Sequence, residues 1–118
     1  MQYLLAIYGD EKQVENIPED QMGEFMAGWF KFDEEIRSSV KVLAGDGLEP
    51  TSTATTVRYK DGAPVTSDGP FAETKEQLGG YYLIDVDNLD EAIKVAGTIP
   101  NLPMGGSVEV RPVQVFEQ

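Results

Sequence analysis

Two short apolar runs, residues 3–8 and 81–86, constrain the fold most strongly because they carry large side chains at successive positions. Successive side chains of a β-strand point to opposite faces of its sheet, so both faces of these two predicted strands need cover. Helices of the same chain can cover one face. The other face then needs a ligand or a second sheet.

A helical period follows the first of these strands. Apolar residues at spacings of three and four predict a helix over residues 16–40, with Asn16 as its N-terminal cap and Trp29 in the core. The apolar stripe of this helix comprises Met22, Phe25, Met26, Trp29, Phe32, Ile36 and Val40. A second helix is predicted from Asn88, where Glu91 completes a capping box, to Gly97. Its core stripe comprises Leu89, Ala92, Ile93 and Ala96.

A β-hairpin is predicted between the two helices. Residues 55–59 alternate in polarity and residues 64–67 form the return strand, with Asp61-Gly62 between them. An Asp-Gly pair between two such runs is a strong hairpin signal. The Gly45-Asp46-Gly47 sequence is interpreted as the end of the first helical unit, and a last strand is predicted over residues 108–115.

With the hairpin counted as one β unit, the order is β-α-β-β-α-β, that of a ferredoxin-like α+β sandwich. Residues 1–118 contain no linker or internal repeat, so we expect a single domain. Because two helices cover only one sheet face, we expect a homodimer in which the helix-free faces of two sheets meet as a dimeric α/β barrel enclosing a cavity. The alternative is a monomer with an amphipathic outer sheet face.

Composition excludes several classes of function. Nine Lys and Arg residues stand against 21 Asp and Glu residues, which gives a formal net charge of −12. This charge disfavours nucleic acids and anionic membrane surfaces as partners. Cysteine and histidine are absent, which removes thiolate chemistry, the commonest metal ligand and the usual general base near neutral pH.

The remaining carboxylates are spread along predicted helix faces, so we expect a solvated acidic surface, no metal site and no cofactor. The N-terminal apolar run lacks a basic flank and is too short for a signal peptide, and no run approaches the length of a membrane span. We therefore expect a cytoplasmic protein.

The loop over residues 68–80 is the strongest candidate for a site, because it combines a β-breaker, an aromatic residue and charges of both signs between two strands. We predict Asp68 as a catalytic acid or base. The predicted ligand-binding residues are Tyr8, Arg58, Glu73, Lys75, Glu76 and Tyr81. The alternative is that Asp68 caps a turn, Phe71 fills the core and the charged side chains are solvated.

The run DGPFAETKEQLGGYYLIDV resembles the signature of the DGPF branch of the YCII-related family. Further matching pieces are YLLAIYGDE, AGDGLEPTSTATTVR and GSVEVRPV. The resemblance covers nearly the whole chain and implies a ferredoxin-like dimeric α+β barrel. It also implies a regulatory connection with extracytoplasmic-function sigma factors.

The resemblance implies no assigned reaction. Another branch of the family is associated with enzymatic activity through a paired histidine and aspartate in the cleft. This chain has no histidine, so that pair cannot operate here, and only an acid at or near Asp68 corresponds to it.

Three functions from different classes follow. The first is a protein that binds or senses a small molecule in the barrel cavity, with a link to regulation. The second is a cofactor-independent enzyme that uses carboxylate and lysine acid-base chemistry. The third is an interaction module whose charged loop contacts another protein.

Overall fold

The computed structural model of the chain describes residues 1–116. Its strands are β1 (Gln2–Gly9), β2 (Lys41–Gly47), β3 (Thr55–Lys60), β4 (Ala63–Asp68), β5 (Gln77–Asp85) and β6 (Ser107–Pro112). Its α-helices are α1 (Glu11–Glu15), α2 (Glu19–Ser39) and α3 (Leu89–Ala96), and single 3-10 turns span Thr51–Thr53 and Leu102–Met104.

Four strands form an antiparallel sheet in the order β2-β5-β1-β6. The central strand β1 pairs with both β5 and β6, so Leu5 lies opposite Tyr82 on one side and Val110 on the other. Together with α2 and α3, which supply the helical side of the core, this arrangement confirms the predicted ferredoxin-like α+β fold.

The hydrophobic core lies between one face of this sheet and the two longer helices. Leu5 and Ile84 are fully buried in the sheet, and Phe32 and Ile36 of α2 pack against them. The remaining buried members of the core are Tyr3, Ile7, Tyr82, Ala92, Ala96 and Ile99. Alternate residues of β1 therefore point to the helices, as the period of a strand requires.

The second strand of the sheet was wrongly assigned from the sequence. It is β2, which the sequence analysis interpreted as the end of the helical unit, whereas the predicted hairpin β3–β4 forms a separate two-stranded sheet. Small residues conceal the alternation of β2. Gly45 is required there because a Cβ at this position would lie 2.5 Å from Cδ1 of Tyr82.

The start of the long helix also differs from the prediction. Asn16 is the C-terminal cap of α1 instead of the N-terminal cap of α2, and α2 begins after Pro18. Asp10 caps α1, since its side chain accepts a hydrogen bond from the Lys12 amide at 3.0 Å. The residue before a proline is disfavoured in helical conformation, which separates the two helices at Ile17.

The predicted N-terminal cap of α3 is confirmed, but only two of the four residues predicted to face the core are buried. The Asn88 side chain accepts a hydrogen bond from the Glu91 amide at 3.0 Å. Ala92 and Ala96 are buried, whereas Leu89 and Ile93 are about half exposed. The helix therefore contacts the core through its alanines, which leaves the larger side chains at the edge of the contact.

The hairpin β3–β4 lies apart from the core. Its turn at Asp61 and Gly62 has φ values of 52° and 80°, the left-handed pair expected for an Asp-Gly turn. Eleven of its twelve strand residues are exposed. The molecule measures 51 × 49 × 19 Å along its principal axes, so it is broad and thin.

Candidate functional site

A cavity of about 740 Å³ lies between the first half of α2 and the end of the sheet where β1 and β2 finish and β5 begins. This volume falls within the range of roughly 300–1,000 Å³ that is usual for small-molecule sites. The cavity is also bounded by α1 and by the loop that contains Asn101 and Met104.

The helical wall of the cavity is the first half of the apolar stripe of α2. Its side chains are Met22, Phe25, Met26 and Trp29, and Phe30 extends the wall one turn after Met26. Trp29, predicted as a core residue, is half-buried: its ring meets Phe32 edge to face at a centroid distance of 6.1 Å and also lines the cavity. The stripe therefore continues beyond the core, and its apolar side chains face open space.

The opposite wall contains glycine where a strand would normally present side chains. Gly45, Gly47, Gly79 and Gly80 all line the cavity. A Cβ on Gly80 would lie 3.0 Å from the backbone oxygen of Asp46, whereas a Cβ on Gly47 would meet no atom within 4 Å. The absence of side chains along this wall leaves the volume open.

A hydrogen-bonded group joins the helix to the sheet at one end of the cavity. The Tyr82 hydroxyl donates to Oδ1 of Asp33 at 2.7 Å, and Nε of Arg37 donates to Oδ2 at 3.0 Å. These two hydrogen bonds, that of Tyr82 foremost, lower the pKa of Asp33. Burial and then the Asp33 hydrogen bond raise the pKa of Tyr82. Asp33 is thus a fixed, ionised carboxylate and Tyr82 a neutral phenol.

Every charged side chain that lines the cavity is acidic. These residues are Asp10, Glu11, Glu15, Asp33 and Asp46. Glu11 accepts two hydrogen bonds of 2.8 Å, one from the backbone amide and one from the hydroxyl of Thr51. These bonds connect α1 to the 3-10 turn that follows β2. Asp46 accepts a hydrogen bond of 2.9 Å from the Tyr81 hydroxyl, and this raises the pKa of Tyr81.

The residues predicted from the sequence as a site are distributed over several places. Tyr8 and Tyr81 line the large cavity. Lys75 and Glu76 line a smaller, more polar cavity of about 330 Å³, where Glu76 also accepts a hydrogen bond from Ser107 at 3.2 Å. Neither cavity is lined by Asp68, Arg58 or Glu73.

The backbone holds the turn after Asp68. Gly69 has a φ of 99°, its amide donates to the Ala54 oxygen at 2.7 Å, and its own oxygen accepts from the Thr56 hydroxyl at 2.8 Å. Arg58 donates to the backbone oxygen of Phe71 at 2.9 Å. Phe71 is 74% exposed, so the alternative in which it fills the core is wrong for this chain conformation.

Sequence reasoning missed the cavity and the Asp33 carboxylate within it. Asp33 follows Trp29 by four positions, so it continues the apolar stripe of the helix. A carboxylate in line with an apolar stripe was the signal that could have found this site. The four glycines near the strand ends were a second signal.

Among residues 1–116, no group of three or more acidic side chains is placed to hold a metal ion. Within the same part of the chain, no helix has the length and apolar character needed to cross a membrane.

Comparison with known proteins agrees with the resemblance seen in the sequence. The family model of the YCII-related domain matches residues 1–117. The chain belongs to the YCII-related family. An uncharacterized protein of Rhizobium meliloti (strain 1021) is 36% identical to this YCII-related chain over 118 residues, which covers 99% of the chain and 95% of that protein.

Proposed function

We propose that this YCII-related protein binds a small organic molecule in the cavity under the first half of α2. The observation that carries the proposal is the apolar helical wall, part of which is left exposed. Met26 is 41% exposed although it belongs to the same stripe as the buried core residues, and Phe30, one turn further along the helix, is 67% exposed. A ligand that covers this wall would remove apolar surface from water, which is favourable.

The same proposal includes a homodimer. The accessible surface is 8608 Å², whereas a compact chain of 13.0 kDa is expected to expose roughly 6,300 Å². The helix-free sheet face carries Leu4 opposite Leu83, which gives a second copy an apolar pair to cover. Light scattering is expected to report twice 13.0 kDa. A monomeric mass at micromolar concentration would overturn this part alone.

A regulatory link to extracytoplasmic-function sigma factors, implied by the resemblance, belongs to the same proposal. It requires a cytoplasmic protein whose ligand-bound state is recognised by a partner protein. The net charge of −12 favours protein contacts over direct contact with DNA.

The enzyme alternative has less support from the cavity. Asp33 has a lowered pKa and is a weak base, and Tyr82 has a raised pKa and is a weak acid near neutral pH. The lowered pKa of Asp33 and the raised pKa of Tyr82 both favour binding of a ligand over transfer of a proton.

Trp29 makes the binding proposal directly testable, because it is the only tryptophan in the chain and it lines the cavity. A library of small organic molecules is screened for saturable changes in Trp29 fluorescence together with a rise in melting temperature. A ligand present at 100 times its Kd is expected to add about 2.7 kcal/mol to the free energy of unfolding.

A matched pair of variants locates the binding site. Phe30 and Phe71 are 67% and 74% exposed, but only Phe30 lines the cavity. Phe30→Ala is expected to weaken binding of any hit, whereas Phe71→Ala is expected to leave its Kd unchanged. Equal effects of the two variants, or a screen without saturable hits, would overturn the proposal.

A further inference from the structure

We propose that the preferred ligand is an organic cation, such as an amine that carries an apolar or aromatic body. This inference rests on the proposed function, since it names the chemical class that the same cavity selects. It is carried by the balance of charges, hydrogen-bonding groups and aromatic rings around a cavity that was established from its volume and apolar wall.

The charged residues that line the cavity are all acidic. Among the described residues, five carboxylates line it and neither lysine nor arginine does, although Arg37 pairs with Asp33 at 3.0 Å from outside the lining. An anion near the other four carboxylates would meet like charge, whereas an ammonium group would meet opposite charge within a partly apolar site. The net charge of −12 extends this field beyond the cavity and favours the approach of cations.

The hydrogen-bonding groups lead to the same class of ligand. The hydroxyls of Tyr81 and Tyr82 already donate to Asp46 and Asp33. The Asn101 amide nitrogen donates to the backbone oxygens of Tyr8 and Ser107 at 2.8 and 3.1 Å. These donors are committed within the protein, while the carboxylates and hydroxyl oxygens retain acceptor capacity.

Asn101, which also lines the cavity, has a side-chain oxygen without a hydrogen-bond donor in the part of the chain that the structure describes. Asn101 is only 9% exposed, and its Oδ1 has no hydrogen-bond partner among the described residues. Rotating the side-chain amide of Asn101 by 180° would not satisfy Oδ1. It would place Oδ1 against the backbone oxygens of Tyr8 and Ser107, where an acceptor would face two acceptors. The described residues therefore leave one buried acceptor beside the cavity without a donor.

The aromatic wall suits the same ligand. Phe25, Trp29 and Phe30 come from one helix, and Tyr8 stands on the sheet side. The faces of such rings attract cations, and tryptophan does so most strongly. The wall accepts the apolar body of an amine, and the acidic residues accept its charged end.

The test uses three probes that share one apolar body and differ in charge: 4-phenylbutylamine, 4-phenylbutanol and 4-phenylbutyrate. Each is titrated into the protein, and Trp29 fluorescence and calorimetry give the Kd. The amine is expected to bind about tenfold more tightly than the alcohol, which corresponds to about 1.4 kcal/mol. The carboxylate is expected to bind more weakly than the alcohol, and the preference for the amine is expected to fall as salt is added.

A charge-matched pair of variants separates the cavity from the overall field. Glu15→Gln removes a carboxylate from the cavity lining, whereas Glu19→Gln removes one at an exposed position outside it. Only Glu15→Gln is expected to reduce the ratio of amine to alcohol affinity. Equal effects of the two variants would overturn the inference.

The outcomes distinguish this inference from the proposed function. If amine and alcohol bind with the same Kd, or if the carboxylate binds most tightly, the cation inference fails while small-molecule binding stands. If none of the three probes and no library compound binds, the proposed function fails and the inference fails with it.

Discussion

The two halves of α2 carry one continuous apolar stripe but have different surroundings. In the second half, Phe32 and Ile36 are 5% and 3% exposed because they pack on the large side chains of β1 and β5. In the first half, Met26 and the adjoining Phe30 line a cavity together with glycines of the strand ends and remain exposed. The same sequence pattern therefore forms a core at one end of the helix and an exposed apolar wall at the other.

The largest expected effect tests whether the two halves differ in stability. Ile36→Ala is expected to lower the free energy of unfolding by about 2–5 kcal/mol, since it removes buried methyl and methylene groups and leaves a cavity. Met26→Ala is expected to cost less than about 1 kcal/mol, because Met26 is already 41% exposed. Urea unfolding measures both, and similar losses would show that the first half also belongs to the core.

The second prediction concerns the glycines opposite the two halves. Gly45→Ala is expected to cost about 1–3 kcal/mol because its Cβ would lie 2.5 Å from the Tyr82 ring. Gly47→Ala is the matched control, since its Cβ meets nothing within 4 Å, and its effect is expected to stay within about 0.5 kcal/mol. A tolerated Gly45→Ala would contradict the close approach of ring and strand.

The third prediction tests the junction between the two halves. Tyr82→Phe removes the hydrogen bond to Asp33 and is expected to cost about 1–2 kcal/mol at neutral pH. Tyr3→Phe is the control, because the Tyr3 hydroxyl reaches only the Met1 sulfur at 3.7 Å. Thermal or urea unfolding at fixed pH compares the two variants, and equal losses would contradict the role assigned to the Asp33 bond.

The pH dependence of the same variant follows from the two pKa shifts. Asp33 has a lowered pKa in the folded state, so its contribution is present at neutral pH and is lost as the pH falls below the ordinary value of 3.8. Tyr82 has a raised pKa, so its contribution is complete below the ordinary value of 10.0 and is lost as the pH rises above it. Tyr82→Phe is expected to flatten the stability profile at both ends, and an unchanged profile would contradict this assignment.

The smallest expected effect concerns a residue remote from both halves. Asp68→Asn is expected to change the free energy of unfolding by less than about 0.5 kcal/mol, since Asp68 is exposed and the following turn is held by backbone bonds of Gly69. The catalytic role predicted for Asp68 stays a prediction. A loss of ligand affinity or of any activity, with stability unchanged, would support that role.

Periodicity predicted most of the fold. The apolar runs predicted β1 and β5, and the Asp61-Gly62 pair predicted the hairpin with its turn. Strand β2 was missed because its small residues show no alternation, and only the distant Tyr82 ring explains why Gly45 stands there.

The cavity was harder to predict, for a physical reason. An apolar stripe indicates that a helix face needs cover, but it does not reveal how far the opposing sheet extends. The predicted site consisted of charged loop residues such as Asp68, whereas most residues that line the cavity are apolar side chains and glycines. Residue chemistry predicts reactive groups more readily than it predicts empty space.

The central position of β1 has a consequence for synthesis of the chain. Its partners in β5 and β6 stand about 70 to 110 positions further along the sequence, whereas the hairpin pairs residues within a short segment. Contacts of such separation form late, because a long loop must close before they are made. On the ribosome, the hairpin can close as it emerges, but β1 keeps both edges unpaired until β5 has been translated and one edge unpaired until β6 has been translated. Stalling before that point exposes an apolar strand with the properties that chaperones recognise.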